Sequence, residues 1–382
     1  MFRRVTDMKN TGWMAPGLLC VFVAITPLSA QNGRAPANRI SWGRCLSQRA
    51  AFYASDEAIR IADNVLLYQR DTGGWPKNTE MASVLSEKDK AKLREANSRK
   101  DSTLDNGATH TQMRYLAKVY DATRLERFKN AFLKGLHYLL EAQYANGGWP
   151  QYCPLQGHAG YSRYITFNDG AMIGALNVLR DVAERKAPYA FIDRNRRSKA
   201  EEAVQKGIEC ILKCQIVVDG KKTAWCAQHD DKTFEPREAR SYELRSISGS
   251  ESVGVVRFLM SIDRPDPRLI EAVQAAVAWF ERAKLSGIRQ IRQPDPSKPR
   301  GYDKVIVTDP TAPPIWARFY EIGTDKPIFC SRDGIPKATL ADISYERRTG
   351  YSWYGDGPAD LLANDYPAWQ KKWAPEKNVL NN

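Results

Sequence analysis

The chain has 382 residues, is 43% hydrophobic and 26% charged, and carries a formal charge of +13 with ten tryptophans and seventeen tyrosines. That composition excludes a disordered chain, and the length suits one large domain or two smaller ones. The basic balance either serves solubility alone or points to a polyanionic partner; scattered basic residues with no Lys/Arg tail disfavour nucleic acid and leave acidic polysaccharide in view.

Arg3, Arg4 and Lys9 precede an apolar stretch from Met14 to Ile25, and Leu28-Ser29-Ala30 offers a cleavage site. This pattern predicts a secretory leader over residues 1–30, too short for a comfortable membrane span, and a secreted or periplasmic product. Its removal takes away three basic groups and one acid and leaves a charge of about +11. The expected organisation beyond it is a loose segment over 31–50, a catalytic domain over 51–374 and a tail over 375–382. Six cysteines follow the leader: Cys45, Cys153, Cys210, Cys214, Cys226 and Cys330. Export permits disulfides, but sequence fixes no pairing, and no cysteine or histidine group has zinc spacing.

The turn Gly73-Gly74-Trp75-Pro76-Lys77 recurs as Gly147-Gly148-Trp149-Pro150-Gln151. Each copy follows a helical run ending near a glutamine, 58–69 and then 127–143. A degenerate third copy at 203–215 leads to Gly220 and Ala224-Trp225. Amphipathic helices are predicted between the turns at 112–123, 168–183 and 251–262, with a further one at 271–283. Residues 290–299, proline-rich and charged, read as a surface loop. Val305–Val307 and Ile328-Phe329 read as short strands. Helical hairpins joined by glycine turns at this long period predict a mainly α fold, an α/α toroid, with a small irregular or β elaboration near the C-terminus.

Two loops at equivalent places carry the first chemistry. Thr103-Leu104-Asp105-Asn106-Gly107 and Thr166-Phe167-Asn168-Asp169-Gly170 each put carboxylate and amide oxygens at a helix start. Such oxygens suit calcium, but they are also what an ordinary N-cap looks like, and the residues leave both readings open. Arg240, Arg318 and Arg332 have the fork that binds carboxylates; for each, a surface ion pair such as Arg332 with Asp333 or Asp325 is the plainer alternative. Trp75, Trp149, Tyr152, Trp316, Tyr351 and Trp353 have rings that stack on sugars, although the tryptophans of a repeated turn are more simply its packing anchors.

Together these strings resemble polysaccharide lyase family 10, the helical pectate lyases. The match runs in order from GGWPK at 73–77 through TLDNGATHTQMRYL at 103–116, GGWPQ at 147–151, FNDGAM at 167–172 and TAWCAQHD at 223–230. It continues with ARSYEL at 239–244, SISGSESVG at 246–254, WARFYEIGTDKPIFCSRDG at 316–334 and YERRTGYSWYG at 345–355. The resemblance implies an α/α toroid and calcium-assisted cleavage of α-1,4-polygalacturonate by a monomer. Position by position it implies that Asp105, Asn106 and Asp169 hold Ca2+ and the sugar at the cleavage point, which makes Asp105 catalytic as well. Arg240 becomes the base, and Arg318, Arg332 and Tyr351 become substrate binders. Arg245 stands where the family commonly has proline. Nearby calcium and arginines would be expected to favour a neutral Arg240. Two other classes compete: an α/α-barrel glycoside hydrolase with Asp105 and Asp169 as its acid and base, and a non-catalytic pectin-binding protein.

Overall fold

The computed structural model describes residues 40–380; the leader expected over residues 1–30 lies outside the described residues. Eight helices dominate the fold: α1 (Asp56–Tyr68), α2 (Glu87–Glu95), which buries no residue, α3 (His110–Thr123), α4 (Glu126–Glu141), α5 (Ala171–Ala183), α6 (Arg194–Cys214), α7 (Glu251–Met260) and α8 (Pro267–Ala283). Apart from α2, they form two concentric rings. Helices α3, α5 and α7 neighbour one another inside; α1, α4, α6 and α8 surround them. Patterning decides the ring. Helix α5 buries nine of its residues, from Ala171 to Val182, and is apolar on most faces. Helix α6 confines its buried residues to a stripe through Ala200, Ala203, Val204, Gly207, Ile208 and Ile211 and turns charge outward. The result is an α/α toroid.

The repeat seen in the sequence has a bonding counterpart. The Gln69 side-chain amide donates to Gly73 O and to Ala131 O in α4, at 2.8 and 2.9 Å. Gln143 donates in the same way to Gly147 O and to Ala203 O in α6, at 3.0 and 2.9 Å. Gln215 donates to Thr223 O and to Ala272 O in α8, at 2.9 Å each. Each glutamine thus ties its own turn to the next outer helix, satisfying carbonyls that would otherwise be buried alone. The indoles of Trp75, Trp149 and Trp225 each donate at 2.8 Å to a carbonyl of the preceding outer helix, at Val65, Leu139 and Ile211. The glycines are required by contact: a Cβ on Gly73 or Gly147 would stand 2.4 or 2.0 Å from a carbonyl oxygen of the next helix.

Several expectations need correction. Residues 290–299 are not simply a loop: Ile288–Pro294 pairs in antiparallel register with Tyr302–Thr308. The pairing depends on a partner strand that no local pattern announces, and Pro294 sits at the last paired position, where its missing N–H does least harm. The N-terminal segment is not loose as far as residue 50. Residues 42–47 and 50–54 form 3-10 turns, Cys45 is buried, and the Tyr53 hydroxyl donates to Cys45 O at 3.1 Å. At the other end, Val379 and Leu380 pack against the core. All six cysteines from Cys45 onward are free thiols. Among the described residues no helix is long and apolar enough to cross a membrane.

Candidate active site

Three backbone bonds bring three repeats into register at one end of the toroid. Thr103 N–H donates to Trp75 O, Thr166 N–H to Trp149 O and Ser248 N–H to Trp225 O, at 3.1, 3.0 and 2.8 Å. Two residues past these points stand Asp105, Asn168 and Ser250; three past them stand Asn106, Asp169 and Glu251. Asn106 and Asp169 have φ of 51° and 50°, the left-handed region that asparagine and aspartate tolerate best among residues with a side chain. Neither loop uses its carboxylate as a cap: the N-cap residues of α3 and α5 are Thr109 and Gly170, with no side-chain cap bond.

The loops instead line a cavity of about 270 Å³, walled by Lys77, Asp105, Asn106, Gln151, Asn168 and Asp169 on one side and by Arg240, Glu243 and Tyr351 on the other. Asp105 is 3% exposed; one of its oxygens, Oδ2, pairs with Lys77 Nζ, while Oδ1 is buried without a hydrogen-bond partner. Asp169 accepts from Asn168 Nδ2 at 2.8 Å. Burial raises its pKa above the ordinary carboxylate value, and Asp105 and Glu251 add to this against the opposing pull of Arg318. Asn106 donates its Nδ2 to Asn78 Oδ1 at 2.9 Å.

The arginines differ from one another. Arg240 is gripped by Glu243, with Nε to Oε2 at 2.8 Å and Nη2 to Oε1. Burial works to lower its pKa, but the Glu243 hydrogen bond and charge outweigh it and raise the value above that of a free guanidinium. The expectation of a neutral-leaning Arg240 is therefore not met in this arrangement, because its nearest partner is an anion. Tyr351 donates its hydroxyl to Glu243 Oε1 at 2.8 Å, and its ring lies 4.7 Å from the Arg318 guanidinium. Arg318 lies below the carboxylates rather than in open space: Nη2 meets Glu251 at 2.5 Å and Asn168 Oδ1 at 3.1 Å, with Asp169 Oδ1 at 3.7 Å. Its guanidinium is thus already engaged by Asn168, Asp169 and Glu251. Arg332 does not line the cavity; it is paired with Glu346 at 3.0 Å and largely exposed. It still shares the face of Tyr242 with Arg240 and Arg347, at 5.6, 5.2 and 4.5 Å. Arg245 is exposed and 3.9 Å from Glu235.

Trp75, Trp149, Trp316 and Trp353 are fully buried and unavailable for sugar stacking. Tyr152, stacked on His158 at 3.8 Å, and Tyr351 are the partly accessible rings of that set. Sequence reasoning did not single out the wall residues Lys77, Gln151, Tyr161, Gln228 and Glu243, nor Glu251 beside them. Lys77 and Gln151 end the two GGWP turns, so the repeat itself could have found them. Glu251 follows from the repeat once the third copy is in register. Nothing local marks Glu243.

Among the described residues, no three acidic, histidine or cysteine side chains gather tightly enough to hold a metal ion by themselves. Asp105, Asp169 and the amide oxygen of Asn106 nevertheless form an oxygen-only donor set. It fits a hard cation such as calcium if water or a bound carboxylate completes the shell. The orphaned Asp105 Oδ1 and the raised Asp169 are features a cation would relieve.

The family model for pectic acid lyase matches residues 69–362. A solved family 10 polysaccharide lyase from Cellvibrio cellulosa is 37% identical, covering 86% of this chain and 94% of its own, with a TM-score of 0.72. A mutant of that lyase in complex with trigalacturonic acid is 36% identical over 87% of this chain and 96% of its own, also at 0.72. No curated protein matches the chain.

Proposed function

The chain belongs to the pectic acid lyase family and is a pectate lyase; from that premise we propose that it is exported and cleaves α-1,4-polygalacturonate by calcium-assisted β-elimination, with Arg240 as the base. The observation that carries this reading is a single cavity holding the buried Asp105, the part-exposed Asp169 and the half-exposed guanidinium of Arg240. Asp105, Asp169 and Asn106 would hold the ion. When bound, calcium withdraws charge from the sugar carboxylate and acidifies the adjacent C5–H.

Arg240 accepts the C5 proton. The C5–H electrons become the C4–C5 double bond, the C4–O4 bond breaks, and the departing oxygen is protonated, so no water is consumed. Only the neutral guanidine can act, and Glu243 makes that form scarcer while fixing its direction. Below the raised pKa the neutral fraction grows about tenfold per pH unit, so turnover climbs toward alkaline pH. Arg318 holds Asn168, Asp169 and Glu251 in place from beneath. Arg332, exposed and paired at the surface, exchanges Glu346 for a uronate carboxylate. Tyr351, held by its hydrogen bond to Glu243 and lining the cavity, contacts the bound sugar.

Ultraviolet absorbance from polygalacturonate, with and without a chelator, tests the reading. A rise that requires calcium is expected. New reducing ends without absorbance would move the chain to the hydrolase class, and neither signal would leave binding alone. Export rests on the leader pattern of residues 1–30, and amino-terminal sequencing of the secreted product checks it; a single-chain mass by size-exclusion chromatography checks that the enzyme works as a monomer.

A further inference from the structure

A second cavity, of about 300 Å³, adjoins the first and shares Lys77 and Asn106 with it. Its far wall is Trp42, in the N-terminal 3-10 turn and outside the residues the family model matches. The half-buried indole packs edge-on against Tyr115, with ring centroids 5.4 Å apart. Glu80 fixes the turn: it accepts from the Trp42 N–H at 2.7 Å and from the Ala82 N–H at 3.1 Å. The remaining wall is amide and hydroxyl, from Asn78, Thr79, Thr111 and Gln112.

The charge of this cavity is the informative point. Its cation, Lys77, is paired with Asp105, and its other charged wall residue is the anion Glu80. No arginine lines it. On the opposite side of the first cavity stand Arg240 and, around Tyr242, Arg332 and Arg347. A free uronate seated beside Trp42 would therefore meet Glu80 with no unpaired cation to offset the repulsion or its own desolvation. An uncharged sugar would find a ring to stack on and amides for its hydroxyls.

We propose that the cavity beside Trp42 is a distal sugar subsite of the same groove, and that it takes an uncharged galactose-type unit, the methyl-esterified galacturonosyl residue being the one that the polymer itself supplies. The groove is then asymmetric, accepting esterified units toward Trp42 and free carboxylates toward the arginines. This rests on the lyase reading above.

The test compares kcat/KM of the mature enzyme on partially methyl-esterified pectin and on fully de-esterified polygalacturonate, for the wild type, Trp42→Ala and Trp42→Phe. Trp42→Ala should lose about tenfold on the esterified polymer, mostly through KM, against about twofold on the unesterified one. Trp42→Phe, which keeps a ring, should recover most of the loss and guards against a merely unfolded turn. Equal losses on both polymers, or no loss on either, would overturn the proposal. Absence of unsaturated product from the wild type on every polymer would overturn the lyase reading instead. Calorimetric titration with esterified and unesterified oligogalacturonides then still decides the subsite: preferential loss of esterified-ligand affinity in Trp42→Ala supports it, and unchanged preference overturns it.

Discussion

Three of the four outer helices, α4 with its Leu125 start excepted, and the inner helices begin with polar residues and do opposite things with them. On the outer ring, Ser55, Asp193 and Asp266 accept from the first-turn N–H groups of α1, α6 and α8, at 3.2, 3.0 and 2.8 Å. On the inner ring, Thr109, Gly170 and Ser250 make no side-chain cap bond. There Asn106, Thr109 and Asp169 take positive φ, and the carboxylates of Asp105 and Asp169 face a cavity. Each outer cap contributes about 1 kcal/mol to stability. Each inner left-handed residue costs about 1–2 kcal/mol, an amount that the glutamine ties and tryptophan anchors of the surrounding turns have to offset. An acidic residue before a helix is thus a cap in one ring and a cavity wall in the other.

The largest expected effect tests the chemical side of that contrast. Arg240→Ala should lower kcat by at least ~10³-fold in a chain that still folds, with a lowered thermal midpoint because the buried Glu243 loses its partner. Activity within about tenfold of the wild type, roughly 1.4 kcal/mol of barrier, would remove Arg240 from the base role.

Next come the inner carboxylates. Asp169→Asn removes a partly desolvated charge that already sits near Asp105 and Glu251. It should lower kcat/KM by about 10²-fold and abolish the rise in thermal midpoint on adding calcium, with no loss of stability in chelator. A calcium-dependent midpoint that survives in this variant would place the ion elsewhere.

A third prediction concerns pH. Burial holds the pKa of His110 down to about 3 and that of His229 to about 4, against an ordinary value of 6.5. The folded values lie below the unfolded ones. As pH falls below about 6.5, the unfolded chain therefore binds protons that the folded chain refuses, and stability is lost. Between pH 6.5 and about 4.5 each histidine should remove on the order of 2 kcal/mol. His110 sits at the first residue of α3 with both ring nitrogens unpartnered. His110→Met should flatten that slope in denaturant titrations at the two pH values; an unchanged slope would mean that the ring is not kept neutral.

The smallest effects belong to the outer ring. Ser55→Ala or Asp266→Ala should cost about 1 kcal/mol by chemical denaturation and leave kcat/KM alone. A loss of activity comparable to that of Asp169→Asn would erase the distinction between the rings.

Much of this molecule is written locally. The helical periodicities, the paired GGWP turns and the glutamines before them announce a stack of helical hairpins, because propensity, patterning and turn chemistry act over a few residues and repeat. The same repeat marks Asp105-Asn106 and Asn168-Asp169 as equivalent pairs. What sequence leaves open is whatever depends on a partner far along the chain. Glu243 on Arg240 turns an expected neutral-leaning base into a tightly paired one. Glu251 and Asn168 draw Arg318 under the site, and Glu346 keeps Arg332 at the surface. Tyr302–Thr308 makes a strand of what reads as a loop. Trp42 comes to the groove only because Glu80 holds its turn there. Local pattern fixes which residues can form a helix or a turn; the charge state and accessibility of a side chain are set by its neighbours in space, and only the packing of the helices decides who those are.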